Sequence, residues 1–178
     1  STLEASSAAS DVYNRQLNLG VKPYPSCRYS HAAIDGIIDL KKELDFSIDD
    51  LDDIDIGLSE TALNIIGYPL EDKQNPKSIV DGQFSMPFCA AVAAKSGGLK
   101  WDDYKDHLNN SDTLALCNKI KVNPDKDAEK CCPEFMSAKV KMVVKGKTYE
   151  KFVKIPKGEP ENFMNCLLYT SDAADDAS

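Results

Sequence analysis

The chain changes rhythm several times between its ends, and each change marks an element. Ile34, Ile37, Ile38, Leu40 and Leu44 recur at helical spacing and predict an amphipathic helix over about Cys27 to Leu44. Pro23 and Pro25 fix their own φ and push Lys22 and Tyr24 toward extended backbone, with Ser26 as the N-cap. Ser47 to Asp50 reads as a turn or cap. Beyond it Ile54, Ile56 and Leu58 alternate with Asp53, Asp55 and Gly57 as a half-buried strand does. Ser59 caps a short helix, Glu60 to Ile66, ended by Gly67 and Pro69, and Glu71 to Pro76 reads as a polar loop. The next helix begins near Ser78 or Gly82 and runs to about Lys95, or starts at Pro87 with the proline in its first turn, and stops at Gly97-Gly98. Two short helices are predicted over Trp101 to Leu108 and Asp112 to Lys119, the spacing of Trp101, Tyr104 and Leu108 being that of core. Residues 120–130 read as strand and loop. The clearest β signal follows: Val140, Met142 and Val144 alternate with lysines, Lys145-Gly-Lys147 turns, and Tyr149, Lys151, Val153 and Ile155 return.

The ends are of another kind. Residues 1–11 are rich in Ser and Ala and read as a disordered lead-in, and Val12 to Leu19 as a strand entering the Lys22 turn. With 178 residues, the length suits one domain with ragged ends. No apolar run approaches the roughly 20 residues of a membrane helix, and the start lacks a basic segment followed by an apolar core, so no secretory signal is read. The net charge of −8 argues against a nucleic-acid partner, which needs a basic face. The six cysteines include no CxxC pair at zinc-ligand spacing and read as free thiols in a reducing compartment. Nothing suggests a metal or an iron–sulfur cluster. The run Asp49, Asp50, Asp52, Asp53, Asp55 fails the EF-hand pattern and reads as a solvated strand edge.

One stretch, Lys22-Pro-Tyr-Pro-Ser-Cys-Arg-Tyr-Ser-His31-Ala-Ala-Ile-Asp35, collects a lysine, an arginine and a histidine where a rigid turn becomes a helix. Read as the first helical turn, Cys27, Arg28 and Tyr29 would leave backbone N–H groups pointing outward, a ready anion site flanked by cations. The plainer alternative is a capped surface helix that happens to carry cations. An anionic substrate would be repelled by the acidic body at long range, so local cations must capture it, screened within about 10 Å of salt solution. The lysines of the hairpin, Lys139, Lys141, Lys145, Lys147, Lys151 and Lys154, offer a second candidate anion face, but such lysines more often guard a strand edge.

The Lys22–Asp35 run resembles the segment that opens the C-terminal domain of the MmgE/PrpD family, which includes 2-methylcitrate dehydratases and cis-aconitate decarboxylases. Two later stretches resemble the same family in the same order: Asp81-Gly-Gln-Phe-Ser-Met-Pro-Phe88 and Ile155-Pro-Lys-Gly-Glu-Pro-Glu-Asn162. The resemblance implies a small lid-type α+β domain, helices packed on a mainly antiparallel sheet, over residues 12–165. It also implies a helical N-terminal domain absent from this chain, a homodimer when full length, no cofactor and no metal. The implied chemistry is lyase chemistry on a small di- or tricarboxylate, with loss of water after proton abstraction beside a carboxylate. Cis-aconitate decarboxylation or isomerisation is the alternative, and a Met at 86 departs from relatives that place a Tyr near there. Lys22 and His31 are the expected catalytic residues, with Arg28, Tyr24 and Ser26 binding substrate. His31 equally suits a satisfied core or interface position.

After Asn165 the composition shifts, and residues 166–178 resemble a translated sequencing adapter rather than native protein. Without its three acids, Asp172, Asp175 and Asp176, the remaining chain carries −5. The chain is therefore expected to be a fragment truncated at both ends, from the cytoplasm or mitochondrial matrix. As an isolated piece it is expected to be a catalytically inert lid or dimerisation module.

Overall fold

Alternation along three strands builds the framework. In the computed structural model, which describes residues 19–164, β1 (Leu51–Leu58), β2 (Ile120–Pro124), β3 (Ala138–Val144) and β4 (Lys147–Val153) form one sheet in the order β2-β1-β3-β4. β1 pairs antiparallel with β3, and β3 with β4, while β1 and β2 run parallel. The sheet is thus mixed, mainly antiparallel with one parallel pair. That pair needs a long crossover, and the chain supplies it as helices between Leu58 and Ile120. Ile54, Ile56, Leu58, Val140, Met142 and Val144 point to one face and are buried.

Helix α1 (His31–Leu44) covers that face of β3 and β4 and packs beside a second buried helix, Met86–Ser96. Between β1 and the latter lie α2 (Glu60–Ala62, running on as a π-turn over Leu63–Gly67), α3 (Leu70–Gln74) and α4 (Ile79–Gln83). Met86–Ser96 is α5, whose Phe88-Cys-Ala-Ala-Val-Ala-Ala94 body is wholly buried. Then come α6 (Asp103–His107), α7 (Ser111–Cys117) and, after β2, α8 (Lys126–Cys131). The result is a two-layer α+β arrangement with eight helices among the described residues. Within it, Tyr24–Pro156 forms one compact unit; described residues 19–23 and 157–164 belong to a second.

Several expected elements stand as read. α1 ends at Leu44, the Ser47–Asp50 capping box is formed, and Ser59 accepts a hydrogen bond from Ala62 N–H. Gly97 closes α5 in the left-handed conformation, and Lys145 and Gly146, both at positive φ, make the hairpin turn.

Others are corrected. The first helix does not start at Cys27: a 3-10 turn, Arg28–Ser30, precedes α1, and Ser26 does not cap it, because its buried hydroxyl is engaged with that of Ser30 at 2.8 Å. The stretch from Ser78 to Lys95 is two helices, each with its own serine cap, Ser78 and Ser85, and the second is the helix with Pro87 in its first turn. Residues 71–76 and 120–130 contain single-turn helices, α3 and α8, too short to show a period. Trp101 is 60 % exposed and not core, whereas Tyr104 is fully buried. The acidic strand β1 is central, not an edge; its Asp53 pairs with Lys121 and Asp55 accepts from Asn123. The lead-in (residues 1–11), nearly all of the Val12–Leu19 strand and the adapter-like tail lie outside the described residues.

Candidate functional site

The cation-bearing run enters α1 through a turn held from behind. Tyr24 points inward; its hydroxyl donates to Asp35 Oδ1 at 2.6 Å, and Asp35 is itself buried. Burial, then the Asp35 charge and the hydrogen bond to it, push the Tyr24 phenol well above its ordinary value, so it stays protonated. At the start of α1, one turn before Asp35, His31 meets the Tyr24 ring edge-on, with centroids 5.4 Å apart, and is only 2 % exposed. The Ser30 hydroxyl donates to Cys27 O at 2.7 Å and shares a hydrogen bond with Ser26.

From the other side, α4 grips the same turn. Cys27 N–H donates to Gln83 O at 2.9 Å, and Gln83 Nε2 donates back to Pro25 O at 3.1 Å. The Tyr104 hydroxyl, arriving from α6, donates to the same Pro25 carbonyl at 2.9 Å. The two lone pairs of one carbonyl are thereby both used. Tyr104 reaches it because Gly82 has no side chain: a Cβ there would lie 3.0 Å from Tyr104 Cε1 and 3.2 Å from Phe88. Beneath the turn, burial pushes the Cys89 thiol up to about 12, so it carries no charge at neutral pH.

These bonds change the electrostatic reading. The N–H groups of Cys27, Ser30 and His31 go to the carbonyls of Gln83, Cys27 and Arg28. These three N–H groups are therefore not open to an anion, and the half-buried Arg28 lies on the same turn.

Of the expected site residues, Tyr24, Ser26, Arg28 and His31 all lie within the Tyr24–Pro156 unit, with Tyr24, Ser26 and His31 buried. Lys22 belongs to the other unit and is exposed. There, Val21 N–H donates to Gly158 O at 2.7 Å, and Gly158 sits at φ +88° with no room for a Cβ, which would fall 1.9 Å from Val21 O. The third resemblance segment thus closes on the backbone just before Lys22. Gln83, Tyr104 and Asp35 were given no role from the sequence. Gln83 lies inside the second resemblance segment, whereas nothing local singles out Tyr104.

Four of the six hairpin lysines are engaged with carboxylates, and Lys154 lies over the Phe135 ring. Lys139 pairs with Asp125 and Asp127, Lys141 with Glu150, Lys145 with Asp50, and Lys151 with Asp39 and Glu43. A groove of about 710 Å³ lies instead along α3 and α4, lined by Pro69, Lys73, Pro76, Val80 and Phe84 among others, none of them in the cation-bearing run. Among the described residues, no three His, Cys, Asp or Glu side chains converge as a metal would require, and no helix is long and apolar enough to cross a membrane.

Comparison with curated proteins finds no match. The model of the MmgE/PrpD C-terminal domain matches residues 24–166, which takes in the anchored turn, the sheet and its helices. By that match over most of its length, the chain belongs to the MmgE/PrpD family, which includes dehydratases and related enzymes, and carries the family's C-terminal domain.

Proposed function

We propose that this chain supplies the cations of a lyase that removes water from a small di- or tricarboxylate, in the manner of a 2-methylcitrate dehydratase. The supporting observation is the double hydrogen bond between Gln83 and the Pro25–Cys27 turn, which ties two family-like segments together and holds the backbone that bears Arg28. Dehydration of such an acid removes a proton beside a carboxylate, and negative charge builds on that carboxylate as the C–H bond breaks. Fixed cations lower this barrier because they need not reorganise as the charge develops. Arg28 takes one carboxylate through its guanidinium fork. Lys22, six residues upstream in the sequence, takes another or moves the proton. His31, Tyr24 and Ser26 are buried, and their part is to hold the turn rather than to touch substrate.

The same reading makes the isolated chain inactive, since the remaining acid–base groups would come from a helical N-terminal domain. In the full-length protein, Lys22→Ala and Arg28→Ala should each lower kcat/KM for 2-methylcitrate at least about tenfold, the worth of one charge-assisted hydrogen bond. Wild-type turnover by both variants would sink the assignment. Measurable turnover by the isolated chain would sink the inert-module part. Assaying cis-aconitate in parallel separates dehydration from decarboxylation by the release of CO₂.

A further inference from the structure

We propose that Gln83 is a positioning residue for Arg28, acting through the turn Pro25–Cys27. The inference rests on the carboxylate-binding reading above and extends it to a residue that touches no substrate.

Gln83 makes two contacts with opposite polarity on one short stretch. Its backbone carbonyl accepts from Cys27 N–H at 2.9 Å, and its side-chain amide donates to Pro25 O at 3.1 Å. Together they fix the peptide groups on both sides of Ser26, leaving Arg28 as the next residue but one. Pro23 and Pro25 already restrict this backbone. The clamp therefore selects one arrangement from a small set, at little further entropic cost.

Gln83 is itself well placed for the task. It is the last residue of α4, immediately after Gly82, and Ser78 caps the start of the same helix by accepting from Asp81 N–H. The absent side chain at Gly82 lets the Tyr104 ring lie against α4, stacked on Phe88 with centroids 5.8 Å apart. Tyr104 then gives the Pro25 carbonyl its second donor. A loop carrying a charged ligand-binding group gains from such support, because its geometry is only as fixed as the neighbours that hold it.

A purely structural clamp and a positioning clamp differ in one measurable respect. If Gln83 acts through Arg28, its loss matters to an anion only while Arg28 is present. The probe is tricarballylate, an unreactive tricarboxylate, titrated calorimetrically into the full-length protein. Gln83→Met keeps the side-chain length and the backbone carbonyl and removes only the amide donor. It should weaken binding about threefold to tenfold, the range of one neutral hydrogen bond. In the Arg28→Ala background, the same change should weaken binding no further. Wild-type affinity in Gln83→Met, or an equal loss in both backgrounds, would overturn the inference. Wild-type affinity in Arg28→Ala would remove the carboxylate reading itself, and the role of Gln83 with it. Should Gln83→Met fail to fold, Tyr104→Phe removes the other donor to Pro25 O while keeping the ring, and enters the same cycle with the same expectation.

Discussion

Two stretches of this chain carry closely spaced cations, and the fold holds them by different means. Around Arg28 the backbone itself is fixed, by hydrogen bonds from Gln83, Tyr104 and Ser30 and by the buried Tyr24–Asp35 pair. On the β3–β4 hairpin the backbone is an ordinary antiparallel ladder, and four of the lysines are held by their charged ends against Asp39, Glu43, Asp50, Asp125, Asp127 and Glu150. The hairpin has the more lysines, yet its charge is largely spent on neighbouring carboxylates. On the hairpin, cation density therefore does not amount to an open anion face.

The contrast can be broken from the largest effect downward. Tyr104→Ala should cost most, about 3–5 kcal/mol, because it empties a fully buried aromatic position and strips a donor from Pro25 O. A urea midpoint close to wild type would show that the turn does not depend on this support. Tyr24→Phe should cost about 1–3 kcal/mol, since it leaves the buried Asp35 carboxylate one donor short. Thermal melts of the single variant, compared with wild type, measure it directly. Lys151→Ala, which removes the contacts to Asp39 and Glu43 at the hairpin surface, should cost about 1 kcal/mol or less and should fade in high salt. A loss as large as that of Tyr24→Phe would erase the distinction between the two regions.

The smallest effect is one of pH. Burial pushes the Asp125 carboxyl up, but the Ala128 N–H and the Lys139 ammonium outweigh it and hold the group below its usual value. Asp127 is held down by Lys139 and then Lys130. A carboxyl depressed in the folded state contributes stability that is present above its unfolded value of about 3.9 and is lost as pH falls through the folded one. The stability gap between wild type and Lys139→Ala should therefore be steady above about pH 5 and close below about pH 4. A gap that persists unchanged at pH 3 would mean that Lys139 acts by packing rather than by charge.

How far each part could be read from the chain follows from the range of the interactions that make it. The α1 stripe, the Ser59 and Ser47 caps and the Lys145-Gly146 turn depend on residues within a few positions, and all were legible. Single-turn helices such as α3 and α8 were not, because five or six residues hold too little of a period. β1 was recognised as a strand, but its central place was not, since alternation reports one buried face and says nothing about which strands lie beside it. The exposure of Trp101 beside the burial of Tyr104 shows the same limit, for both share one helical pattern and only the packing partner separates them.

The sequence alone determined the parts with local causes: the apolar stripes, the strand alternation, the proline-stiffened turn and the cations it carries, and the three segments that mark the family. Only the tertiary structure decided what holds that turn and which carboxylates the hairpin lysines meet. The donors to Pro25 O come from residues 58 and 79 positions away, and the carboxylate on Lys151 from one 108 positions away. No periodicity reaches that far. Such contacts exist only once the core has closed and brought α4 and α6 against the turn and α1 against β3 and β4.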